Sequence, residues 1–160
     1  MASTLLGAVQ NARLISNVSV NPTNGSTKEL INVKGQGLFI SAEISKQGGN
    51  NDLTFVELII DGRYVVSVSI AALFNWGMTS QNSYGLQVFR SAVGIETVTI
   101  GYPVPLTFNK QLLLRVKVKE SGVVQIVGNV VCTVASAAIS VSSKITARKT
   151  SKTIAKKKKT

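Results

Sequence analysis

The side chains best equipped for chemistry in this chain of 160 residues are cations gathered at one end. Lys144, Arg148, Lys149, Lys152, Lys156, Lys157, Lys158 and Lys159 lie in residues 144–160, which hold none of the 7 acidic residues. Residues 1–143 therefore carry only +3 of the formal net charge of +11. An arm of this kind displaces counterions from phosphates, so it is expected to hold nucleic acid first, and an anionic membrane second, without reading sequence. No aromatic residue is interleaved among the lysines to stack on bases. The plain alternative is a solvated tail that only keeps the chain soluble.

Catalytic groups are scarce. The chain has no histidine and one cysteine, Cys132, which rules out Ser-His-Asp and Cys-His nucleophiles, a Cys/His zinc site and an internal disulfide. Glu43, Glu57 and Asp61 could approach one another as a glycosidase-like set, but Glu57 falls within a strand pattern and Asp61 within a turn. Gly35 and Gly37 lack the third glycine and the helix of a nucleotide fingerprint. Asn50, Asn51 and Asp52 offer too few carboxylates for calcium and read as a turn. The expectation is a protein that is not an enzyme and takes no cofactor or metal.

A second candidate site is aromatic. Between residues 71 and 85 the periodicity vanishes, and Phe74, Trp76, Met78 and Tyr84 collect in a long loop that could open with a helical turn. Trp76 and Tyr84 combine a flat apolar body with one polar atom, so they suit a sugar ring or a partner subunit. Equally, Phe74 and Trp76 could fold back to plug an end of the domain.

The elements that must carry these residues read as strands. Residues 14–20 and 30–33 are short strand candidates, separated by the turn signal Asn21-Pro22-Thr23-Asn24-Gly25. Leu38, Ile40, Ala42 and Ile44 alternate with Phe39, Ser41, Glu43 and Ser45, the period of a half-buried strand. Residues 54–60 and 63–70 flank Asp61-Gly62, a type I′ hairpin signal; a two-residue loop would set Ile59 opposite Tyr64, Leu58 opposite Val65 and Phe55 opposite Val68. Both faces of that hairpin are partly apolar, as expected if a neighbour covers the outer one.

Short strands are expected at 86–89 and 96–100, and Pro103 and Pro105 make residues 101–105 an irregular or edge segment. In residues 112–119, Leu112, Leu114, Val116 and Val118 face a core, while Leu113, Arg115, Lys117 and Lys119 form a largely basic outer face. Residues 123–134 give a last strand. The uncharged run 123–143 ahead of a basic segment also fits a C-terminal membrane anchor, but its polar and β-branched residues favour strands.

Eight or nine short strands with no amphipathic helix define an all-β chain, an antiparallel jelly-roll-like β-sandwich over residues 1–143 followed by a Lys-rich flexible tail over 144–160. The body is poor in charge, with 17 charged residues among 143, against about 25% in an average soluble domain. Such a surface is weakly protected against association, so a homo-oligomer is expected. No cleaved signal peptide is legible, which makes the sequons at Asn17 and Asn24 uninformative.

The segments KGQGLFISAEISKQGG, FVELIIDGRYVV and TIGYPVPLTFNKQLLLRVKV resemble the β-sandwich structural proteins of bacteriophage and other virus particles. The resemblance spans about residues 30–131 and rests on strand texture and the Pro-x-Pro-Leu-x-Phe-x-Lys segment. It implies a capsid, decoration or tail component made in the host cytoplasm and found in the virion, where it binds copies of itself and other particle proteins. The alternatives are a glycan- or receptor-binding module using the 71–85 loop, and a sequence-independent nucleic-acid-binding protein.

Overall fold

The computed structural model describes residues 11–92 and 94–135, which form nine strands and one short helix. In chain order these are β1 (Arg13–Val20), β2 (Thr27–Lys34), β3 (Gln36–Gly48), β4 (Thr54–Ile60), β5 (Arg63–Ser69), α1 (Ile70–Asn75), β6 (Leu86–Ala92), β7 (Ile95–Phe108), β8 (Gln111–Val118) and β9 (Val123–Ala135). They build two antiparallel sheets, ordered β1-β9-β3-β7-β6 and β2-β8-β4-β5. The basic arm, residues 144–160, lies outside the described residues.

The pairing explains the topology. Starting from the β4–β5 hairpin, β3 pairs with β7, β2 with β8 and β1 with β9, so the two halves of the chain run antiparallel like a folded ribbon. Successive pairs fall in opposite sheets. That winding is a jelly roll, with β6 added at one edge.

Between the sheets lies one apolar core, in which Phe39, Ile44, Leu58, Ile70, Leu73, Ile100, Phe108, Leu112, Leu114 and Ile126 are almost wholly buried. The alternation expected in residues 112–119 holds: Leu112, Leu114, Val116 and Val118 face the core, and Arg115 and Lys117 face outward. Gly128 on β9 belongs to the inner row, where a Cβ would stand 2.8 Å from Leu30 Cδ1. A glycine at that point lets a β2 leucine reach the middle of the opposite sheet.

Two registers differ from expectation for the same reason. In β3 the ladder slips between Phe39 and Ser41, so Ile40 is an extra residue and Phe39, rather than Ile40, joins Ala42 and Ile44 in the core. In the hairpin, Asp61 and Gly62 do take positive φ (50° and 80°) and Ile59 does face Tyr64. A bulge at Val65 then moves the partners of Leu58 and Phe55 to Val66 and Ser69.

Elsewhere, the β3 ladder skips residues 102–105, where the two prolines have no N–H to give. The 71–85 segment opens with α1, whose first turn is capped by Ser69 Oγ accepting from the Ala72 N–H at 3.1 Å. Residues 123–135, most of the run weighed as an anchor, are a strand paired on both sides. Among the described residues no helix is long and apolar enough to cross a membrane.

Candidate functional site

The jelly roll presents three surfaces with chemistry: the two outer sheet faces and the end closed by the turns after β3 and β8. That end is ionic and buried. Lys46, wholly buried, is the cross-strand partner of Glu96, which in turn faces Arg90. Lys46 Nζ lies 2.8 Å from Asp52 Oδ1, 3.0 Å from Glu120 Oε1 and 3.3 Å from Glu96 Oε2, while Arg90 bridges Glu96 and Asp52.

Glu120 is the keystone of this end. Its Oε2 accepts from the backbone N–H groups of Asn50, Asn51 and Asp52, and its Oε1 accepts from Thr54 N, Thr54 Oγ1 and Lys46. Burial would raise its pKa, but these donors outweigh it and hold the carboxyl below its ordinary range. Burial would likewise lower the Lys46 pKa, and its hydrogen bonds to Asp52 and Glu120 reverse that. The Asn50-Asn51-Asp52 turn thus turns its N–H groups toward an internal anion, and its one carboxylate is spent on Lys46 and Arg90. Among the described residues no three acidic, Cys or His side chains are placed to hold a metal ion.

The other acidic residues considered as a set are far apart in the architecture. Glu57 faces outward on the four-stranded sheet, where Arg115 Nε donates to it at 2.6 Å and the Arg115 guanidinium also reaches the Tyr64 ring and hydroxyl. Asp61 accepts from the N–H groups of Asn109, Lys110 and Gln111, which lower its pKa and tie the hairpin tip to the β7–β8 turn. Glu43 stands on the opposite outer face, in the middle of the five-stranded sheet. No acid pair of the glycosidase kind results.

The aromatic loop divides. Phe74 and Met78 pack against the core, and Arg90 sits over the Phe74 ring at 4.4 Å, joining the loop to the ionic end. Trp76 and Tyr84 are 62% and 66% exposed. Of the two residues considered as a plug, Phe74 turns inward and Trp76 outward; Leu73, together with Ile70, fills the core instead. The sequence did not single these two out, although helical spacing from Ile70 to Leu73 carries the signal.

The outer face of the five-stranded sheet was not foreseen as a site. Register aligns one polar side chain from every strand in a single row: Ser16, Asn129, Glu43, Thr99 and Gln87. Over it lies a concavity of about 680 Å³, bounded by Gln81, Asn82 and Gly85 of the loop, by Leu86 of β6, by Tyr102 and Pro103 of the skipped segment, and by Leu14 of β1. Around the row, Leu14, Val18, Val20 and Phe89 leave large apolar side chains in solvent. Only a comparison across strands reveals the row, since its members are far apart in sequence.

Charge is distributed unequally between the faces. Among the described residues Arg13, Lys28, Lys34, Arg63, Lys110, Lys117 and Lys119 form no ion pair, whereas every acidic residue except Glu43 is engaged by a cation or by hydrogen-bond donors. The β8 face is therefore net basic and the five-stranded face nearly neutral. Neither protein-family models nor curated protein sequences give a match to this chain.

Proposed function

We propose that this chain is a non-enzymatic, self-assembling subunit of a virus or phage particle, with residues 144–160 as a cationic arm to nucleic acid or another anionic component. The observation that carries the reading is the nearly neutral outer face of the five-stranded sheet, where Leu14, Val18 and Val20 of an edge strand stand 64%, 48% and 63% exposed in a row with period two. A strand at a sheet edge with such a row is a template for association unless something covers it. The jelly roll itself recurs in capsid domains, but also in lectins and cupins, so the fold supports the reading without deciding it.

The unpaired lysines of β8 and the arm of the same sign suit a particle whose one face meets neighbours and whose other face meets a polyanion. Leu14→Glu combined with Val20→Glu, both at exposed positions, tests the reading. Association of the purified chain is expected to fall while its melting temperature stays within a few degrees of the parent. Unchanged association in this variant would exclude the β1 face as the contact.

A further inference from the structure

The concavity on the five-stranded face has a composition that selects for one ligand class. Glu43 is half-buried at its centre and, among the described residues, is the one acidic residue given no ion pair and no hydrogen bond. Its neighbours in the row complement it. Asn129 accepts through Oδ1 from Ser16 Oγ at 2.6 Å, which leaves its amide N–H groups as donors. Gln87 donates through Nε2 to the Thr79 carbonyl at 3.3 Å, which leaves its Oε1 as an acceptor. Thr99, between Glu43 and Gln87, offers a hydroxyl that both donates and accepts.

Donors and acceptors thus alternate along a row that crosses five strands, roughly 19 Å at the usual strand spacing. Apolar surface from Leu14, Tyr102 and Pro103 rims the same hollow. The row sits on paired strands with β3 at its centre, so the groups are held in place before any ligand arrives.

We propose that this concavity is a binding site for a short neutral oligosaccharide, whose hydroxyls donate to Glu43 and Gln87 and accept from Asn129 and Thr99 while its C–H faces rest on the apolar rim. Donor and acceptor chemistry disfavours the other classes. A cation could pair with Glu43 but brings only donors and leaves the Asn129 amide N–H groups unmatched, and an anionic ligand must bury its charge beside an unpaired carboxylate. A neutral polyol meets neither penalty and satisfies a carboxylate that the protein leaves without partners. The site differs from the one expected in the aromatic loop, because neither Trp76 nor Tyr84 lines the hollow. It shares Leu14 and a sheet face with the proposed assembly contact, and the two are told apart by their readouts, sugar-dependent amide shifts for one and association state for the other.

The test is a titration of the full-length ¹⁵N-labelled chain with neutral di- and trisaccharides of glucose, mannose, galactose and N-acetylglucosamine, followed by amide chemical shifts. Sialyllactose, oligogalacturonate and 1,5-diaminopentane serve as the acidic and cationic probes. Saturable shifts centred on residues 43, 87, 99 and 129 are expected with at least one neutral sugar and with none of the charged probes. Glu43→Ala is expected to weaken that binding by about tenfold or more, as for a lost hydrogen bond to a charged group. Thr99→Val supplies a second variant should Glu43→Ala fail to fold, and it too must weaken binding; Trp76→Ala must not. Absence of saturable shifts with every neutral sugar, preference for the diamine, or shifts centred on Trp76 and Tyr84 would each overturn the proposal.

Discussion

Glu120 shows how one side chain can determine an end of a sandwich. Six donors converge on its two oxygens, and all of them except Lys46 come from the segment Asn50–Thr54. Removing the carboxylate leaves those N–H groups and a buried lysine without an anion, so Glu120→Ala is expected to cost about 3–5 kcal/mol in chemical denaturation. The pH dependence has a defined sign. Because folding lowers the Glu120 pKa, its contribution is complete above the unfolded-state value of about 4.3 and is lost as the pH falls through the lower folded value. Because folding raises the Lys46 pKa, its contribution is complete below about 10.4 and is lost as the pH rises through the folded value. Stability measured against pH should therefore fall at both extremes, and the acid limb should flatten in Glu120→Gln. None of this network was legible in the sequence. Alternation from Ala42 and Ile44 does put Lys46 on the inner side, but its partners lie 6, 50 and 74 positions away and are brought to it only by the order in which strands and turns meet.

At the scale of elements, alternation identified the strands and misjudged the places where the ladder slips. The core and solvent faces of β8 were readable because its period is unbroken, whereas the β3 and β5 bulges shift the phase without a glycine or proline to announce them. The Asp61-Gly62 hairpin was readable from its turn chemistry, and the unpaired segment 102–105 from its prolines. The polar row over the concavity was not, because it depends on the order in which strands meet. Two glycines test the packing of these elements. A Cβ at Gly37 would collide with the Thr133 carbonyl oxygen and the Phe108 ring, so Gly37→Ala is expected to destabilise by about 1–3 kcal/mol, read as a lower denaturation midpoint. Gly128→Ala, where Leu30 can yield only in part, should lower it as well. Loss of the α1 cap in Ser69→Ala should cost about 1 kcal/mol on the same assay.

For the whole molecule the division of charge is the main fact, and it was legible from composition alone. Folding adds that most of the body's cations form no ion pair while nearly all its carboxylates are engaged, so even the body presents a net positive surface. With the arm's eight cations, binding to duplex DNA followed by fluorescence anisotropy should weaken by about 10³–10⁵ between 50 and 200 mM salt. Deletion of residues 144–160 should remove most of that dependence; binding that survives the deletion unchanged would assign it to the β8 face. Self-assembly remains the claim on which the proposed function stands, and sedimentation velocity of the purified full-length chain over a wide concentration range measures it most directly. A subunit of a particle will give discrete species larger than the 17.0 kDa monomer, growing with concentration and reduced by Leu14→Glu with Val20→Glu. A single monomeric species at every concentration would contradict it.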